Sequence, residues 1–131
     1  MKNVVILTLL MALPLSLKGQ TVVKILQVVR ITEYTDGFLI KTVDPVGLDT
    51  VSLVCSNRSV LLKKKYQKIT IGHSYKFEFE DLSKTTGAAP ISTLSVRLRK
   101  TIVWTGREDP NHMPAFLKNT KGLWILKRDL V

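Results

Sequence analysis

Few side chains in this 131-residue chain have the type and spacing that chemistry needs. The two histidines, His73 and His112, stand far apart. With the single cysteine, Cys55, they offer no ligand pair at the close spacing typical of zinc sites. They read as one turn histidine and one loop histidine. Glu78 and Glu80 share one face of a candidate strand, and paired carboxylates can do acid–base work. The arginines expected opposite them, Arg97 and Arg99, would hold both acids ionised, which disfavours a general acid. Ser and Thr are plentiful, yet there is no Gly-x-Ser-x-Gly turn and no Gly-rich phosphate loop. The Asn57-Arg58-Ser59 tripeptide matches a glycosylation acceptor, a pattern that often arises by chance. The sequence points away from catalysis and implies neither metal nor cofactor.

Basic residues are the stronger lead. Lys and Arg number 20 against 10 Asp and Glu, a formal net charge of +10. The densest cluster is Lys63-Lys64-Lys65-Tyr66-Gln67-Lys68; Arg97, Arg99 and Lys100 form a second, and Lys118, Lys121, Lys127 and Arg128 a third. Such charge attracts anionic headgroups, acidic polysaccharide, an acidic protein face or nucleic acid. The plainer reading of the lysine run is a solvated surface that keeps a basic protein soluble.

The N-terminus selects among these partners. Met1-Lys2-Asn3 is a short basic start, Val4 to Leu13 is an apolar run broken only by Thr8, and Pro14 and Ser16 lead to Gly19. This is the three-part pattern of an export signal, and the run is short for a bilayer span. Cleavage is expected before Gln20, although Leu17 and Lys18 fit a cleavage site imperfectly. The single cysteine, Cys55, lies far beyond the run, so a lipid anchor is not expected. Loss of residues 1–19 removes Lys2 and Lys18 and no acid, which lowers the net charge by two. The alternative is a buried N-terminal helix or strand. With 45% hydrophobic and 23% charged residues the chain is composed like a globular domain. Cys55 lies in the apolar run Val51-Ser52-Leu53-Val54-Cys55 and cannot pair within the chain. It is expected to be buried, the alternative being an intermolecular thiol.

The remaining sequence reads as strands between turns. Thr21 to Thr32 is dense in Val and Ile, with polar residues at Lys24, Gln27 and Arg30. That spacing fits a long strand with a bulge, or a helix with a narrow polar stripe; the β-branched content favours the strand. Tyr34-Thr35-Asp36-Gly37 carries the hairpin signal Asp-Gly. Phe38 to Val43 is the second strand, Asp44-Pro45-Val46-Gly47 a turn, and Asp49 to Cys55 the third strand. Ser59 can cap a short helix through Tyr66. After Gly72-His73, Tyr75, Phe77 and Phe79 alternate with Lys76, Glu78 and Glu80, giving a strand with one dry face. Ser83 to Ser92 is a loop, and Leu94 to Trp104 the fifth strand, with Lys100 misplaced on its apolar side. Antiparallel pairing of strands four and five, with Phe79 facing Leu98, sets Glu80 opposite Arg97 and Glu78 opposite Arg99.

The expected fold class is therefore mainly β: a small five-stranded Greek-key barrel with a short helix or irregular link between strands three and four, and a two-sheet sandwich as the alternative. The long bulged first strand, the Asp36-Gly37 turn, that link, and the stretch Lys68-Ile69-Thr70-Ile71-Gly72-His73-Ser74-Tyr75-Lys76-Phe77 leading into strand four resemble the oligonucleotide/oligosaccharide-binding (OB) fold over residues 21–105. The domain plan is a signal at 1–19, an OB-like barrel at 20–105 and a C-terminal extension at 106–131. The apolar stretch Leu123-Trp124-Ile125-Leu126 in that extension is expected to dock on the barrel and cover an edge, or to recruit a partner.

The OB resemblance implies a ligand face on strands two and three, flanked by the first and last hairpin loops. Carried onto this chain, the face comprises Tyr34, Phe38, Lys41 and Arg58, with loop residues from Thr85 to Pro90. The basic residues Lys63, Lys64, Lys65, Arg97 and Arg99 are the other binding candidates. The expectation is an exported, non-enzymatic binding module of a bacterial envelope or the extracellular space, meeting an anionic envelope component or an acidic protein surface. The competing readings are a single-stranded nucleic-acid binder with Tyr34, Phe38 or Tyr66 as stacking rings, and an enzyme whose site is assembled from residues distant in sequence.

Overall fold

The computed structural model describes residues 5–8, 20–57, 63–81, 93–109 and 113–131. Strand dominates these residues, joined by single 3-10 turns such as Lys63–Lys65 and Lys127–Asp129. In chain order the strands are β1 (Val5–Thr8), β2 (Gln20–Tyr34), β3 (Gly37–Val43), β4 (Thr50–Ser56), β5 (Tyr66–Lys68), β6 (Ser74–Asp81), β7 (Ser95–Leu98), β8 (Thr101–Thr105), β9 (Ala115–Leu117), β10 (Thr120–Lys121) and β11 (Trp124–Leu126).

Five of them close a barrel in the order β2-β3-β4-β9-β6, with β6 returning to β2. The β4–β9 pair is parallel and the other four are antiparallel. This mainly β, closed five-stranded architecture is consistent with a small OB-like barrel, and it sets aside the two-sheet sandwich.

The first strand serves two partners. Gln20 to Gln27 pair with β6 and Gln27 to Tyr34 with β3, with a register shift between Val28 and Arg30. The bulge exchanges faces: Leu26 and Val28 fill the barrel before it, and Ile31 packs on that core after it. This explains how Gln27 and Arg30, three positions apart across the switch, both face outward; Lys24 shares the parity of Leu26 and is exposed all the same. A single extra residue switches which parity points inward.

The barrel core gathers Leu26, Val28, Phe38, Ile40, Leu53, Cys55, Tyr75, Phe77 and Phe79. The Tyr75-Phe77-Phe79 alternation is the dry face expected. Ile69 and Ile125 join the same core, carried by a small sheet in which β11 pairs with both β10 and β5. Asn119 continues where β9 stops: its Oδ1 accepts the Glu78 amide, and its Nδ2 donates to the Lys76 carbonyl and to Asp129. Such full satisfaction is what a buried amide requires.

Three expectations are corrected. Residues 94–104 are not one strand; they fold into the β7–β8 hairpin with Arg99 and Lys100 at its tip. Arg99 adopts φ 54°, a conformation that two-residue hairpins usually give to glycine, so no residue signalled the turn. Lys100 breaks the apolar pattern because it lies in that turn. The barrel position intended for this segment belongs instead to β9, from the C-terminal extension. Consequently the expected acid–arginine register does not form: Glu78 pairs with Val23, and Glu80 with Thr21 and Phe116. The helix expected from Ser59 lies partly outside the described residues; Lys63–Lys65 form a 3-10 turn and Tyr66 already belongs to β5.

A second apolar layer lies outside the barrel. Leu39 on β3 and Val54 on β4 point away from the interior and pack with Leu94, Val96, Leu98, Val103 and Trp104 of the hairpin segment. A bulge at the β7–β8 pairing lets Val103 and Trp104 both turn inward. The hairpin tip is fixed by Thr101, whose hydroxyl donates to Asp36 at 2.8 Å. Gly37 is required beneath it, since a Cβ there would collide with Leu98 and the Cys55 carbonyl. The N-terminal strand Val5–Thr8 runs antiparallel along the other edge of β7.

Candidate functional site

The β2 bulge also decides what faces outward beyond it. Arg30, Thr32 and Tyr34 line the outer side of β2, and Leu39 and Lys41 the outer side of β3. Arg30 pairs directly with Lys41 and Thr32 with Leu39. Two cations directly opposite each other repel. Lys41 answers this by reaching over the top of the sheet: its Nζ lies 2.7 Å from Asp109 Oδ2. The indole Nε1 of Trp104 donates to the same oxygen at 3.4 Å. Asp109 itself is placed by a turn in which its amide donates to the Thr105 carbonyl.

These contacts form the walls of a cleft of about 320 Å³. Its floor is Arg30, Thr32, Tyr34, Leu39 and Lys41; its far wall is Val103, Trp104, Thr105, Glu108 and Asp109. The lining holds two cations, two carboxylates and three hydroxyls. Trp104 is buried and presents little surface to the cleft. Such a lining offers donors and acceptors in comparable number and suits a hydroxyl-rich ligand better than a bare polyanion, which Glu108 and Asp109 would repel.

Of the residues expected to bind, Tyr34 and Lys41 meet in this cleft. Phe38 points into the barrel, 7% exposed, where it fills the core and presents no stacking face. Arg58 and the Thr85–Pro90 loop lie outside the described residues. Lys63, Lys64 and Lys65 form the turn before β5, and Lys64 and Lys65 are exposed. Arg97 and Arg99 sit on the hairpin, Arg97 half-buried and Arg99 at the tip. None of these basic residues lines the cleft. Sequence reasoning reads Arg30 only as a polar position of the first strand and misses it as a site residue, its alternation with Thr32 and Tyr34 being the signal that could have found it; Trp104, Glu108 and Asp109 carried no signal.

The chemistry-bearing residues stay apart. Cys55 is a free, buried thiol, pushed by burial from its ordinary 9.0 up to about 12, which makes it unreactive. His73 is exposed in the turn before β6, and His112 lies outside the described residues. Asp44 is held below the usual carboxylate range by the amides of Val46 and Gly47, an arrangement that shapes the 44–48 turn. Among the described residues no group of His, Cys, Asp and Glu is arranged to hold a metal, and no helix is long and apolar enough to cross a membrane. Comparison with family models, with characterised proteins and with solved structures finds no match.

Proposed function

We propose that this chain is an exported, non-enzymatic binding module whose ligand site is the cleft between the β2–β3 face and the β7–β8 hairpin. One observation carries the reading: the bulge in β2 and the hairpin together bring Arg30, Tyr34, Lys41, Trp104 and Asp109 around one concavity. The barrel order, with its parallel β4–β9 pair, supports the OB resemblance; the site lies beside the face that resemblance implies, on β2 and β3, because the hairpin covers Leu39 and Val54 on β3 and β4. The basic–apolar start of the sequence supports export. The ligand class that fits is an acid-bearing glycan of the envelope: hydroxyls meet Thr32, Tyr34, Thr105 and the carboxylates, and a sugar carboxylate meets Arg30.

Calorimetric titration with an oligosaccharide of neutral sugars bearing a single uronic acid tests this. The wild-type protein binds, and Arg30→Ala and Tyr34→Ala each weaken binding about tenfold, the worth of one good charged or aromatic contact. Equal affinity of wild type and both variants removes the cleft from the account.

A further inference from the structure

The layer covering the barrel contains a strand edge that the proposed processing would uncover. β7 is the middle strand of the order β1-β7-β8. Its outer edge is taken by the leader segment, with Val5 opposite Leu98, Ile6 opposite Arg97, Leu7 opposite Val96 and Thr8 opposite Ser95. Once residues 1–19 are removed, β7 presents a row of unpaired amides and carbonyls, a template for another strand.

Arg97 says what that strand carries. It is half-buried, and its Nε is buried without a hydrogen-bond partner. Its register neighbour in β1 is Ile6, a residue type with no acceptor. A buried guanidinium N–H without an acceptor is the group a carboxylate satisfies best. Val96 and Leu98, on the opposite parity, are buried against the barrel, so the places facing them call for apolar residues.

We infer that the outer edge of β7 is a strand-accepting site, held by Val5–Thr8 before processing and afterwards by an extended segment of a partner protein. That segment runs antiparallel, is apolar opposite Val96 and Leu98, and carries Asp or Glu opposite Arg97. A second copy of this chain fits less well, because β7 against β7 brings arginines together between two strongly basic molecules. The inference rests on the export reading.

The test uses the protein purified in its native, exported form, with its mass establishing whether residues 1–19 are gone. The probes are a synthetic peptide of residues 1–8 and the same peptide with Ile6→Glu. Hydrogen exchange of the Ser95–Leu98 amides is the readout. Both peptides slow exchange about tenfold, the Glu peptide binds at least about threefold tighter, and Arg97→Gln abolishes that preference. A processed protein whose Ser95–Leu98 amides ignore both peptides, or are already protected in proportion to protein concentration, overturns the inference and leaves export standing. A native chain that keeps residues 1–19 overturns the export reading, and the strand site with it.

Discussion

The outer faces of two barrel regions carry the same kinds of residue and meet different fates. Leu39 and Val54, pointing away from the interior on β3 and β4, are 8% and 1% exposed because the hairpin lies over them. Val23 and Ile25, pointing away from the interior on the first half of β2, are 51% and 48% exposed. Outward apolar residues on a small barrel thus gain burial only where a long connection folds back. Here the connection between β6 and β9 does so on one side. The cleft forms where that cover ends: its floor is still barrel wall, and its far wall is the trailing edge of the cover.

The sharpest test of this contrast is Leu98→Ala. It leaves a cavity between hairpin and barrel and lowers stability by about 2–5 kcal/mol, measured by urea unfolding. Gly37→Ala follows, at about 1–3 kcal/mol, because the added methyl meets Leu98 and backbone at once. Cys55 supplies a pH test. Its folded pKa lies near 12 against 9.0 ordinarily, so as pH rises above about 9 the unfolded thiol ionises while the folded one keeps its proton. Stability then falls by about 1.4 kcal/mol per pH unit up to about 12, and Cys55→Ala removes that component. Lys41→Met changes stability by less than about 1 kcal/mol, since the Asp109 pair is partly solvated and loss of Lys41 also relieves Arg30. The smallest effect belongs to the bare face: Ile25→Thr stays within about 0.5 kcal/mol. An Ile25→Thr loss as large as that of Leu98→Ala would erase the distinction between covered and bare walls.

How far the sequence foretold this follows from the kind of signal each element carries. β2, β3, β4 and β6 were legible because β-branched density, Asp36-Gly37 and the Tyr75-Phe77-Phe79 alternation are local patterns. The bulge was legible as a break in parity. The β7–β8 hairpin was not: Leu98, Ile102 and Trp104 continue one alternation across the turn, and Arg99 takes a positive φ that its residue type does not announce. β9 was missed because three residues, Ala115–Leu117, form no periodicity, and their place is set by two distant strands. The site divided the same way. Tyr34 and Lys41 were implied by the OB resemblance and meet in the cleft, although Tyr34 stands on the first strand and outside the implied pair, whereas Trp104 and Asp109 depend on how the 82–114 connection returns. Phe38 went inward because Gly37 starts the strand and fixes its parity.

The cleft is the claim on which the functional account stands, and mapping amide shifts during titration with an oligosaccharide of neutral sugars bearing a single uronic acid tests it most directly. The account predicts perturbations concentrated at Arg30, Thr32, Tyr34, Lys41, Trp104 and Asp109, with Lys64 and Lys65 unmoved. Shifts confined to Lys64, Lys65 and Lys68, or spread evenly over the basic surface, would contradict it.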